Sequence, residues 1–325
     1  MTGPAAQADW HVYHGDGRSA ATPLPDPPPW RRFGGKILRE RTVPAAATDG
    51  TDHFQTTLEL VEAVNAAIGL RRPLLLTGRT GSGKSSLIDS VARELVLGRV
   101  LRWHVTSSST LQDALYRYDA LGRLQDSQLG DGERGIGGYL RLGPLGTALL
   151  PTARPRALLV DEIDKSDIDL PSDLLNVFER GEFEIPELAR LEQTRVEIRE
   201  ADGTETFPIE HGHVRCREFP VVVLTSNGER DFPPPFLRRC VQFRMPDPTP
   251  ELLTRIVTAH LGDAVAADAR QLIDDFAERV AGSRSHATDQ LLNAIFLLVR
   301  PAGPDEAHRE RVTELLLRSL QSDLP

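Results

Sequence analysis

Residues 71–86 read R-R-P-L-L-L-T-G-R-T-G-S-G-K-S-S, and this stretch decides the fold. Leu74, Leu75 and Leu76 form a short apolar run that ends in a glycine loop, the pattern of a strand buried on both faces. After the loop, Leu87, Ile88, Val91, Ala92 and Leu95 recur at helical spacing. Between strand and helix, Gly78 to Ser85 matches G-x-x-x-x-G-K-[ST]. Gly81 and Gly83 let backbone N–H groups turn toward one anion. The helix N-terminus adds its dipole. Lys84 brings a point charge to β- and γ-phosphates, and the Ser85 hydroxyl suits a Mg²⁺ ion. With Arg79, Thr80, Ser82 and Ser86, these residues make the candidate phosphate-binding loop.

Working outward, four more segments read as strands: Val100–Thr106, Ala157–Asp161, Phe219–Thr225 and Cys240–Arg244. Apolar runs separated by helical stretches predict a parallel sheet covered on both faces. The second of these runs, A-L-L-V-D-E-I-D-K at 157–165, ends in acids. Ligands of open α/β sheets bind at the carboxyl ends of strands, so Asp161 is expected beside the phosphate loop as a Mg²⁺ ligand acting through water. Glu162 is the candidate base for an attacking water. Asp164, Lys165, Asp167 and Asp169 read as a solvated loop. V-E-I-R-E-A-D-G-T-E-T-F-P-I at 196–209 alternates around Asp202-Gly203 and predicts a hairpin. Beyond Pro246, Pro248 and Pro250, four helix-period segments predict a small all-α unit.

These motifs together resemble the MoxR group of AAA+ ATPases. G-R-T-G-S-G-K-S (78–85), L-L-V-D-E-I-D-K (158–165), T-S-N (225–227) and E-R-D-F-P-P-P-F-L-R-R-C (229–240) carry the resemblance, which covers roughly residues 53–300. G-P-L-G-T-A-L-L (143–150) and the hairpin sit where that group has inserted elements. The resemblance implies a three-layer αβα P-loop NTPase fold with a five-stranded parallel sheet, a β-hairpin insert and a C-terminal all-α lid. It implies an ATPase using ATP and Mg²⁺, although the phosphate motifs alone leave GTP open. Asn227 matches sensor 1, which orients the lytic water with Glu162. Arg238 and Arg239 match the region of the arginine finger, with Arg239 the preferred one. Arg284, in G-S-R-S-H, is the loosest match and stands for sensor 2. A homo-oligomer follows, by similarity a hexameric ring that remodels a partner protein. A nucleotide-gated scaffold in a signalling or defence system is the alternative, and a nucleic-acid motor or loader a more distant one.

The bulk numbers fit this outline. The 325 residues, 40% hydrophobic, suffice for one large core and a smaller satellite. The expected units are an extended Pro-rich arm (1–52), a nucleotide-binding domain (53–247) and a helical lid (248–325). Trp10, Trp30 and Phe33 are the residues that would dock the arm, on the body or on a partner, if it is not a mobile tail. The net charge of −9 argues against a duplex-binding face. Lysine occurs only at Lys36, Lys84 and Lys165. Two cysteines, Cys216 and Cys240, and no leader-like or membrane-spanning run make a reducing cytoplasm the expected location. His211, His213 and Cys216 form H-x-H-x-x-C, but lack a fourth metal ligand nearby. Tyr116, Tyr118 and Tyr139 read as packing residues rather than as the lining of a pore.

Overall fold

The structure, a computed structural model, describes residues 10–40, 54–129, 135–201, 203–282, 288–299, 308, 311 and 312. Arg284, Asp202 and most of the last helix-period segment lie outside the described residues.

The main sheet has five parallel strands in the order β11-β1-β10-β5-β2: β1 (Leu74–Thr77), β2 (Leu101–His104), β5 (Ala157–Asp161), β10 (Val221–Ser226) and β11 (Val241–Arg244). The three central strands are apolar almost throughout, while β2 and β11 alternate buried or half-buried with exposed positions. Alternation marks the edges because an edge strand is covered less completely than a central one. Successive side chains along a strand take opposite faces. Leu74, Leu76, Leu159 and Val223 therefore enter one core, and Leu75, Leu158, Val160, Val222 and Leu224 the other. Two cores on two faces make the three-layer αβα fold.

One face carries α1 (Leu58–Leu70) and α2 (Lys84–Glu94). Thr57 caps α1, its hydroxyl accepting the Leu60 N–H at 3.3 Å. The other face carries α3 (Leu111–Leu115), α5 (Pro144–Ala148), α6 (Leu170–Arg180), α7 (Pro186–Ala189) and α8 (Pro234–Leu237). A second, six-stranded sheet packs on the same core, in the order β3-β4-β7-β8-β9-β6. Its strands are β3 (Tyr116–Tyr118), β4 (Leu140–Leu142), β6 (Glu182–Glu184), β7 (Arg195–Arg199), β8 (Thr206–Glu210) and β9 (His213–Arg215), with α4 (Ala120–Leu129) between β3 and β4.

The predicted hairpin is present as β7 and β8, from Arg195↔Glu210 to Arg199↔Thr206. Beyond the paired strands the Glu200 N–H also donates to the Glu205 carbonyl at 3.1 Å. The insert is also larger than one hairpin, because β3, β4, β6 and β9 extend it. Their short, charge-interrupted sequences carry little strand periodicity.

Helices α9 (Pro250–Leu261), α10 (Asp263–Asp268), α11 (Arg270–Gly282) and α12 (Thr288–Val299) enclose a separate apolar core that includes Leu253, Ile273, Phe276 and Leu291.

Residues 10–40 contain one short 3-10 turn, Pro29–Arg31, and run over the sheet domain in extended form. Trp10 and Trp30 are exposed, so neither docks the segment on this chain. Phe33 does, stacking on Phe219 at 5.3 Å. The other anchors are Val12, Tyr13 and Arg31, all buried. The Asn65 side chain accepts the Val12 and Tyr13 N–H groups at 2.7 and 3.1 Å and donates to the Tyr13 carbonyl at 2.7 Å. Glu94 accepts the His14 and Gly15 N–H groups. Main-chain latching of this kind has no signature in the segment's own sequence.

Candidate nucleotide site

Strands β1, β5 and β10 end side by side, with Thr77 opposite Ser226 and Leu224 opposite Val160. Their carboxyl ends bring Gly78–Ser85, Asp161, Glu162 and Asn227 into one site. Gly83, with φ 83°, is the N-cap of α2, a backbone only glycine adopts freely. Gly78 has φ 150°, and a Cβ there would stand 3.0 Å from Met245 Cβ.

The Lys84 ammonium donates to the Gly78 and Arg79 carbonyls at 2.8 and 2.6 Å and to Asn227 Oδ1 at 2.9 Å. Burial pulls the Lys84 pKa below the ordinary lysine value, opposed by the carboxylates of Asp164, Asp161 and Glu162. Ser85 Oγ donates to Asp161 Oδ1 at 2.8 Å. Hard oxygen donors this close fit Mg²⁺, which takes one or two protein oxygens and completes its shell with phosphate and water. The Ser82 hydroxyl is buried with no hydrogen-bond partner among the described residues, a donor left for an anion.

Glu162 has a left-handed backbone, φ 59°, at the turn out of β5. Such conformations in non-glycine residues concentrate at functional sites. Its N–H is held by Thr225 Oγ1 at 2.9 Å, and the same hydroxyl donates to Asp161 Oδ1 at 2.6 Å. Thr225 thus sets both acids at once. The Glu162 carboxylate lies 2.9 Å from Lys165 Nζ and 3.4 Å from His104 Nε2. The hydrogen bond to Glu162 raises the Lys165 pKa above the usual lysine range.

Asp164 departs from the sequence expectation. It is not solvated but buried, and its Oδ2 accepts the N–H groups of Asn227 and Glu229 at 2.8 and 3.1 Å. The turn after β5 folds Asp164 under the β10 terminus, where two orphan backbone donors require an acceptor. Lys165, Asp167 and Asp169 are exposed as expected.

Thr80 is exposed on the loop and Ser86 is exposed in the first turn of α2. Arg79 lends its carbonyl to Lys84, while its side chain pairs with Asp247 at 3.0 Å and donates to the Val280 carbonyl of α11. The loop is thereby tied to the helical unit. Between them lies a cavity of about 290 Å³, walled by Phe54, Met245, Leu252, Ile256 and Leu292, with His260 at its side.

Arg238 and Arg239 are not at this cluster. They follow α8, where Arg239 Nε donates to Glu179 Oε1 at 3.0 Å and Arg238 is exposed. His211, His213 and Cys216 diverge: His213 is exposed on β9 and Cys216 is buried. Among the described residues no cluster of three metal-ligating side chains occurs. The Tyr116 and Tyr139 hydroxyls donate to Glu187 and Asp126, and Tyr118 accepts from Arg123. All three hydroxyls are engaged within the insert.

The family model of the AAA domain, dynein-related subfamily, matches residues 73–240, just over half of the chain. The chain belongs to this family, and the matched residues include the loop after β1 and the ends of β5 and β10. Among solved structures, the chain is similar to domain III of the replication initiation protein DnaA from Thermotoga maritima, with 14% identity and a TM-score of 0.42 over 85% of this chain and 100% of that one. It is also similar to NtrX from Brucella abortus in complex with ADP, with 14% identity and a TM-score of 0.37 over 83% of this chain. The chain spans 56% of the length of NtrX. No curated protein matches the chain significantly. Among the described residues no helix is long and apolar enough to cross a membrane.

Proposed function

We propose that this protein is a MoxR-type AAA+ ATPase that hydrolyses ATP in a ring and remodels a partner protein. In this reading residues 53–247 bind the nucleotide and residues 248–325 are the lid. The observation that carries the proposal is the convergence of Lys84 and Asn227 (2.9 Å) with the Ser85–Asp161 pair (2.8 Å). The main-chain N–H groups of Gly81–Ser85 and the Lys84 ammonium bind the phosphates. The apolar cavity takes the base; ATP over GTP rests on the MoxR resemblance. Ser85, and Asp161 through a water, would hold Mg²⁺, which would supply charge neutralisation to the phosphates. Glu162 accepts a proton from the attacking water, which Asn227 orients. Catalysis is then positioning plus electrostatics, because charge spreads over the phosphoryl oxygens in flight. Arg239 of a neighbouring subunit supplies the remaining positive charge. That requirement makes turnover depend on assembly, as a hexameric ring in this reading.

Glu162→Gln tests the assignment. ATP affinity should be retained and kcat should fall by about 10²–10⁴, the usual contribution of a general base. Turnover at the wild-type rate would remove Glu162 from the mechanism.

The Lys165–Glu162 contact favours a second reading, a nucleotide-gated scaffold with slow turnover. A carboxylate engaged by its own chain's lysine must be released before it can act on water. Strong stimulation of hydrolysis by a bound partner, with transport of that partner through a ring, would count against the scaffold.

A further inference from the structure

Arg31 is the most tightly held charge in the N-terminal segment. Its side chain is 5% exposed. Its Nε and Nη2 donate to the Arg71 carbonyl, and its Nη1 donates to the Glu179 carbonyl at 3.4 Å and to Glu179 Oε2 at 3.5 Å. Its guanidinium lies 4.9 Å from the ring centroids of both Phe33 and Phe219. A cation this enclosed is a fixed point in the fold. The other oxygen of the same carboxylate, Glu179 Oε1, accepts Arg239 Nε at 3.0 Å. Arg239 Nη1 also donates to the Pro235 carbonyl at 3.1 Å. Two of the five N–H donors of Arg239 are thus committed and three remain for an anion. Among the described residues the Arg238 guanidinium makes no hydrogen bond or ion pair, so nothing orients it.

We infer that Glu179 is the positioning residue for the arginine finger, and that the N-terminal segment, through Arg31, fixes Glu179. The inference rests on the assignment of Arg239 as the finger. A long, exposed arginine loses much rotamer freedom when it meets a phosphate, and that loss falls on the reaction unless the side chain is already held. The Glu179 carboxylate holds the Nε edge and leaves the outer edge of the guanidinium for the neighbouring subunit's nucleotide. The chain Arg31–Glu179–Arg239 spans α6, α8 and the segment before the sheet domain. It links a stretch far from the phosphates to the cation that acts on them. It also separates Arg239 from Arg238, which the motif alone leaves equivalent.

Mixed assemblies test this. Glu162→Gln subunits have a finger and a dead site; Arg239→Ala subunits have a live site and no finger. Mixing them should restore ATPase at seams where the first lends its finger to the second. Adding Glu179→Ala to the Glu162→Gln subunit should lower the restored kcat at least about 10-fold with little change in KM, as expected for a misplaced catalytic group. Adding it to the Arg239→Ala subunit should leave the restored rate unchanged. Glu179→Gln, which keeps a carbonyl acceptor, should retain an intermediate rate in the lending subunit. Equal losses in both placements would reduce Glu179 to a structural role and overturn the inference, as would no loss in the lending subunit. No recovery in the parent mixture would instead remove Arg239 as the finger, and the inference with it.

Discussion

Asp164 shows how a residue outside the motif can govern the site. Its buried carboxylate holds the backbone N–H groups of Asn227 and Glu229 and faces Lys84. Removing it leaves two donors without an acceptor, and buried unsatisfied groups cost about 1–3 kcal/mol each. Asp164→Ala should therefore destabilise the protein by about 2–4 kcal/mol and lower kcat by displacing the Asn227 amide. Asp164→Asn, which keeps one carbonyl acceptor, should lose less of both. Denaturant unfolding beside steady-state ATPase measures the two effects, and an Asp164→Ala protein with wild-type kcat would show that Asn227 needs no such support. Of the predicted residues, Lys84, Ser85, Asp161 and Glu162 were legible because their spacing within short motifs follows from strand–loop–helix geometry, whereas Asn227 was reached only through the family resemblance. Thr225 and Asp164 were not singled out, since a threonine in an apolar strand and an aspartate in an acidic loop have ordinary local explanations.

At the scale of elements, the N-terminal segment behaves as part of the sheet domain. Tyr13 is fully buried against α1 and α2, its hydroxyl 3.0 Å from Ser90 Oγ, and Asn65 brackets it with hydrogen bonds on both sides. Asn65→Ala would strand the Val12 and Tyr13 amides and the Tyr13 carbonyl. The expected loss is about 2–4 kcal/mol, read as a lower urea midpoint with the m-value unchanged. A change below ~0.5 kcal/mol, the scale of ordinary surface substitutions, would mean that the segment is not latched in solution. The five strands of the main sheet were readable to within one or two residues, because central parallel strands must be apolar runs. The four short strands of the insert were not, because segments of three residues are too brief to display a period.

At the scale of the whole molecule, both thiols lie inside. Cys216 and Cys240 are buried, and that burial pushes each thiol pKa up to about 12 from an ordinary value of 9.0. A thiol whose folded pKa is raised contributes stability that is complete below the unfolded value and declines as pH rises past it. Stability should therefore hold up to about pH 9 and then fall toward pH 12, by at most ~1.4 kcal/mol per pH unit for each thiol. The buried Tyr13 phenol, also raised by burial, acts with the same sign at higher pH. Unfolding midpoints taken between pH 8 and pH 11 check this, and a flat profile would refute it. Neither thiol should react with a disulfide reagent faster than the protein opens.

The amino-acid sequence by itself determined the glycine-rich loop after β1, the acidic end of β5, the parallel sheet and the helical C-terminal part. Each is a local pattern whose physics acts over a few residues: glycine backbone freedom, helix period, apolar strand runs. Only the tertiary structure decided what holds the site in place. Arg31 meets Glu179 across 148 positions, Glu179 meets Arg239 across 60, and Asp164 meets Asn227 across 63. Contacts at such separations are set by how layers stack, and one sequence read alone carries no period or spacing that encodes them.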